Sequence, residues 1–397
     1  MASGRCAQAP ARIYGEHTHW EPFVNDYIDW MLVNDPPPYT TLESRKRAAF
    51  LLGAASHGLQ DEIFDSLFLF QMEKHDSAGQ EEADPGTDGF LALDGYIRLV
   101  PQPYVPMDVL LDVYANLDAS ITEDVIRGAV DIMDRFYVND TVGPAVARSQ
   151  GEMYEARIPW ARQNYLNPSV PGSLYSEVRP TMAYMQAVWD RLNARPVESV
   201  VFAYPDSPRR LLGESAGDPD SWVTFVASMG LQNGTSQATW LDSMLDPVSF
   251  ETLGSRWTGA GWTRIVRLQP TTDLIPGDSY EASITTAIRI DGSEFKASTH
   301  VFQVDCNPPD SALCPPLDIM DPVVLPAEVA PPDAGTLPDA ADVGIAPMAD
   351  AGADSGAPDA AMQDAKDPRL GGDGCASVDG GSWWVSVLAV LFWRRRR

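Results

Sequence analysis

The sequence predicts a multidomain chain: an all-α domain, then a β-sandwich, then a disordered stalk and an apolar C-terminal helix. Three observations predict it. Residues 1–195 carry apolar side chains at helical spacing, and 196–306 carry short β-branched runs broken by Gly, Pro and Asp. Beyond Leu325 nearly all large apolar side chains are lost until a short greasy run before four arginines. At 397 residues the chain also exceeds one ordinary core.

The helices come first. Trp20, Phe23, Val24, Tyr27, Ile28 and Met31 follow the i, i+3, i+4 stripe of an amphipathic helix, which Pro36, Pro37 and Pro38 end. Thr40 and Glu43 have the spacing of a capping box, opening a long helix to about residue 72. Further helices are predicted at 106–118, 121–137 and 173–193. In the second of these, Ile121, Val125, Ala129, Ile132, Met133 and Phe136 share one stripe. The segment 80–94 reads as an acidic loop.

Strands follow at 222–226, 264–268, 280–290 and 299–304. Tyr280, Ala282, Ile284, Ile288 and Ile290 fall on one parity, the alternation of a half-buried strand. Short strands separated by turn signals argue for a sandwich. Leu268-Gln-Pro270, Leu274-Ile-Pro-Gly277 and Tyr280 resemble the bacterial Ig-like domain of S-layer type, a resemblance that implies a spacer or adhesive module. His300 stands alone on a strand and reads as structural or solvent-facing.

Residues 307–373, rich in Pro, Ala, Asp and Gly, cannot bury enough surface to offset their ordering entropy and read as an extended stalk. The apolar run 382–393 would span ~18 Å as a helix, short of a ~30 Å hydrocarbon core. Gly374-Cys375, that run and Arg394 to Arg397 resemble the MYXO-CTERM sorting signal. The resemblance implies export and anchoring at an outer membrane or cell surface. An ordinary tail anchor is the other reading. The N-terminus lacks the apolar run of a secretory signal, so a leader preceding this segment is expected.

Composition excludes some functions. A formal net charge of -28 disfavours nucleic acid as a partner. Cys6, Cys306, Cys314 and Cys375 form no CxxC pair, which removes a thiolate zinc finger. Cys306 and Cys314 flank a Pro/Asp-rich turn and could close a small disulfide loop.

The chemistry sits in the long helix. Phe50, Leu51, Leu52, Leu59, Ile63, Phe64, Leu67 and Phe68 make it apolar on nearly every side, the mark of a buried helix. His57, Asp61 and Asp65 nevertheless recur every four residues, with a drift of ~40° per step. Burying carboxylates without partners is costly, and a divalent cation removes that cost. Four of the five histidines, His17, His19, His57 and His75, lie in the first 75 residues. Spacing alone leaves two readings open: a metal site, or core histidines hydrogen-bonded to carboxylates.

The stretch Glu16-His-Thr-His-Trp-Glu-Pro-Phe23 is followed by Ala49-Phe-Leu-Leu-Gly-Ala-Ala-Ser-His-Gly-Leu-Gln-Asp61. With Tyr104-Val-Pro106 and Ile121-Thr-Glu-Asp-Val, these motifs resemble the zinc-dependent phospholipase C family over residues 15–140. Within it, they are most similar to the catalytic domain of glycosylphosphatidylinositol-specific phospholipases D. The resemblance implies an all-α phospholipase C/nuclease-like fold and two or three zinc ions. It assigns His19, His57, Asp61, Asp65 and Asp84 as metal ligands, with Asp61 bridging. Asp65 stands where the phospholipase D relatives have histidine, and Gln80 falls in a ligand group where they have His and Asp. His17 and His75 have no counterpart, and no proton-transfer residue is assigned.

The implied activity is phosphodiester hydrolysis on phospholipids, with a membrane surface as partner. Asp65 and Gln80 favour a second expectation, a degenerate phospholipase-fold head serving adhesion. A nuclease of the same superfamily is a third, disfavoured by the acidic surface.

Overall fold

A computed structural model describes residues 17–96, 104–117, 121–133, 143–206, 210–256 and 261–305. The expected stalk, the sorting segment and all four cysteines lie outside the described residues.

Helix α1 (Glu21–Asn34) turns Phe23, Val24, Tyr27, Ile28 and Met31 inward, each at most 3% exposed. Burial of each such side chain is worth roughly 1.5–3 kcal/mol. Helix α2 (Leu42–Ile63) starts one residue later than the expected capping box. Thr41, not Thr40, is the N-cap, and its hydroxyl accepts from the Ser44 amide at 3.0 Å. Glu43 instead accepts from the Tyr104 hydroxyl.

The long helix does not continue unbroken to residue 72. A π-helical turn, Phe64–Phe68, interrupts it before α3 (Leu69–Asp76). At that turn the Ser66 carbonyl accepts from Arg267 Nη1 at 3.2 Å, and the Ser66 hydroxyl accepts from the Arg256 amide at 3.1 Å. Such bonds from a distant segment hold a widened turn that local periodicity does not announce.

The expected acidic loop is helix α4 (Gln80–Leu93), despite an internal Pro85. Tertiary packing overrides propensity here. Helix α7 (Gly143–Glu155) lies so close that a Cβ on Gly151 would stand 2.4 Å from the Gly89 carbonyl oxygen. Between them in sequence run α5 (Met107–Asn116) and α6 (Glu123–Met133). After them come α8 (Pro159–Asn164) and α9 (Val178–Leu192), the latter shorter than the expected 173–193.

Among the described residues eight strands follow: β1 (Val200–Tyr204), β2 (Arg210–Leu211), β3 (Val223–Gln232), β4 (Gln237–Leu241), β5 (Phe250–Leu253), β6 (Trp262–Pro270), β7 (Ser279–Thr286) and β8 (Ser298–Val304). They pair as two four-stranded sheets, β1-β3-β6-β5 and β2-β8-β7-β4, antiparallel except for the two-residue β2–β8 pairing. Phe225, Val266 and Leu268 from the first sheet meet Trp240, Tyr280, Ile284 and Phe302 from the second in one core. The 280–290 strand ends at Thr286, and Ile288 is 52% exposed, so the expected parity breaks there.

The outer face of the first sheet is not solvated. Tyr204, Val226 and Ile265 share a core with Phe23, Leu51, Leu59 and Tyr184 of the helices. Strand β3 is therefore buried on both faces from Val223 to Leu231. That shared core crosses the boundary expected at 195/196, and the described helices and strands form one compact unit. Among the described residues no helix is long and apolar enough to cross a membrane.

Candidate metal centre

The end of helix α2 presents His57, Gln60 and Asp61 to one cavity at the i, i+3, i+4 spacing, and Phe64, first in the π-turn, lines it too. Facing them across a cavity of about 20 Å³ are Asp84, Thr87 and Asp88 on α4, with Leu174 and Glu177 just before α9. That is room for one water-sized particle or ion. No lysine or arginine is among these lining residues.

Glu177 is fully buried, and neither carboxylate oxygen has a hydrogen-bond partner. Burial, reinforced by Asp61 and Asp65, pushes its carboxyl well above the usual range. Burial and then Asp84 do the same to Asp88. Burial chiefly, with help from His19 and Arg264, holds the His57 imidazole well below its usual value and therefore neutral.

His19 reaches the centre from the turn before α1. Its Nε2 lies 2.8 Å from His57 Nε2, with ring centroids 4.6 Å apart. Gly58 makes this possible. A Cβ there would stand 2.5 Å from the His19 carbonyl oxygen, so only glycine lets the turn lie on α2 beside His57.

Of the five expected ligands, His57, Asp61 and Asp84 line the cavity, and His19 adjoins it through His57. Asp65 does not line it. The π-turn carries Asp65 off the row, and its Oδ2 accepts from Gln80 Nε2 at 3.2 Å. Asp94 pairs with Arg162 and Tyr165. His75 stacks on Trp160, His17 tilts against Tyr114, and His300 bonds the Pro205 carbonyl oxygen at 2.7 Å.

Glu177 escapes a reading of the sequence. A glutamate just ahead of a helix is the ordinary complement of the helix dipole, and nothing local marks it as buried opposite His57. Asp88 is legible in part, lying four residues after Asp84.

The donor set suits a divalent cation. Neutral imidazole and carboxylate oxygen are both zinc ligands, and uncompensated buried carboxylates are costly without one. Among the described residues, however, no three His, Cys, Asp or Glu side chains already converge in the arrangement that holds a metal ion.

No family model matches the chain. Over 134 residues it is 31% identical to the phosphatidylinositol-glycan-specific phospholipase D of Rattus norvegicus, covering 30% of this chain and 16% of that protein. Over 124 residues it is 32% identical to the Homo sapiens protein of that description, covering 28% and 15%. The chain thus matches about a sixth of the length of these curated relatives. The similarity to a phospholipase D is distant and partial.

Among solved structures, CopC from Methylosinus trichosporium OB3b is 21% identical, covering 28% of this chain and 94% of that one, with a TM-score of 0.22. Domains 1-6 of the surface layer protein SbsC are 9% identical, covering 75% and 46%, also with a TM-score of 0.22. At those scores neither likeness bears on fold or function.

Proposed function

We propose that this chain is a zinc-dependent phosphodiester hydrolase acting on phospholipids or related phosphodiesters at a cell surface, where a C-terminal sorting signal displays it. One observation carries the reading: the two partnerless oxygens of buried Glu177 line one small cavity with His57, Asp61, Asp84 and Asp88. The partial similarity to a phospholipase D supports it.

His57, Asp61, Asp84 and Glu177 would hold the metal. When bound, zinc supplies Lewis-acid charge to a phosphodiester oxygen and acidifies water. His57 contributes as a neutral imidazole, kept so by burial. His19 orients it through the 2.8 Å nitrogen contact. Burial, and then Asp84, raise the Asp88 carboxyl at the cavity wall well above its usual range, which favours a proton there.

A second reading, a binding head without activity, draws on the Gln80–Asp65 bond. That bond ties together two positions where the resemblance implies ligands. Native mass spectrometry of the purified chain, with hydrolysis of phosphatidylinositol and phosphatidylcholine vesicles, separates them. The hydrolase reading expects bound zinc and chelator-sensitive turnover. A chain that takes up no zinc and cleaves neither lipid would support the second reading.

A further inference from the structure

The Arg264 side chain is 1% exposed, on the strand of the first sheet that faces the helices. Its Nε donates to Glu62 Oε2 at 2.7 Å, and its Nη2 donates to the His19 carbonyl oxygen at 2.5 Å. The Arg264 amide and the Thr263 hydroxyl both donate to Glu62 Oε1, each at 2.8 Å. One guanidinium thus ties strand β6 to helix α2 and to the turn that carries His19.

The bonding continues outward. Arg264 Nη1 reaches the Tyr184 hydroxyl at 3.4 Å, Tyr184 donates to Glu21 Oε2 at 2.6 Å, and Arg191 Nη1 donates to Glu21 Oε1 at 2.6 Å. Two buried ion pairs, Arg264–Glu62 and Arg191–Glu21, therefore clamp both ends of the segment from His19 to Glu21.

Buried ion pairs are poor devices for stability, because apolar replacements of similar volume often serve as well. What a guanidinium offers is a rigid, planar fork that fixes two acceptors relative to each other. Here the two acceptors are Glu62, next in sequence to Asp61, and the backbone of His19.

We infer that Arg264 is a positioning residue of the metal centre: it fixes the His19 backbone against α2, and so sets the His19 imidazole opposite His57. The paired sheets are then a working part of the site, not the appended spacer that their sequence suggests. The inference rests on the proposed function only in that the imidazole pair serves a metal.

The test uses the full chain with Arg264→Lys and with Arg264→Met combined with Glu62→Gln, which removes both buried charges together. In metal-free protein, the imidazole proton signals of His19 and His57 are read by NMR. Both variants are expected to shift them relative to wild type, Arg264→Lys less, since its ammonium keeps the charge though not the fork. Zinc affinity is expected to fall ~10–100-fold in the double variant, the usual effect of losing support behind a ligand. Adding His19→Ala is expected to cost nothing further.

Unmoved His19 and His57 signals in a folded variant would overturn the inference. So would losses of zinc affinity that add to that of His19→Ala. Should the double variant not fold, the Arg264→Lys signals decide by the same criterion. A wild-type chain that binds no zinc counts against the proposed function, and the metal-free imidazole signals still decide the role of Arg264.

Discussion

Gln80 donates a hydrogen bond to Asp65 across 3.2 Å, so two positions that depart from the resembled pattern are each other's partners. Asp65 is only 3% exposed, yet the π-turn has carried it off the row that begins at His57. Asp65→Asn should therefore leave the number of bound zinc ions unchanged and shift stability by no more than about 1 kcal/mol, the net worth of one hydrogen bond. Asp61→Asn should remove the metal. Metal content by native mass spectrometry checks both, and loss of zinc in Asp65→Asn would return Asp65 to the ligand set.

Glu177 supports an experiment whose sign changes with the metal. In the metal-free chain burial beside Asp61 and Asp65 raises the Glu177 carboxyl well above its usual range, so folding must protonate it or bury its charge. Glu177→Gln removes that cost and should stabilise by roughly 1–3 kcal/mol at neutral pH. With zinc present the same change should destabilise, because a ligand is lost. Urea unfolding of both proteins, with zinc and with chelator, measures the difference. An equal effect under both conditions would place Glu177 outside the metal centre.

Gly58 and Gly53 form a matched pair on α2. A Cβ at Gly58 meets the His19 carbonyl oxygen at 2.5 Å, while one at Gly53 meets nothing within 4 Å. Gly53→Ala should stabilise by about 0.5–1 kcal/mol through helix propensity. Gly58→Ala should destabilise by about 1–3 kcal/mol through overpacking and should also weaken zinc binding, since the turn carrying His19 must move. Thermal unfolding and zinc titration report the two effects separately.

Asp94 governs part of the acid stability. Hydrogen bonds from Arg162, then Tyr165, hold its carboxyl below the ordinary 3.8 against the opposing pull of burial. A folded value below the unfolded one means the stabilisation is present above pH ~4 and is lost as pH falls through the folded value. Asp94→Asn should flatten the stability profile below pH 4 and cost about 1 kcal/mol at pH 7, modest because the pair is partly exposed. Denaturant midpoints from pH 2 to pH 7 test this, and an unchanged acid limb would remove Asp94 from the account.

Much of α1 and α2 was legible. The stripe from Phe23 to Met31 is buried as its spacing implies, and His57 and Asp61 share a face because four residues make about one helical turn. Asp84 was legible only by resemblance, and its setting was misread. The acidic run at 80–94 suggested a loop, whereas close packing against Gly151 holds it in a helix.

Local periodicity, then, was enough to establish α1, the long apolar helix and several of the strands, and that this helix carries an imidazole and a carboxylate one turn apart. It could not establish what stands opposite them. The arrival of Glu177 and Asp88 at the cavity, the departure of Asp65 at the π-turn and the hold of Arg264 on His19 all depend on elements distant in sequence. The spacing of residues on a helix is a property of its own backbone. The groups that fill the space beside it are chosen by packing, and only the folded chain decides that.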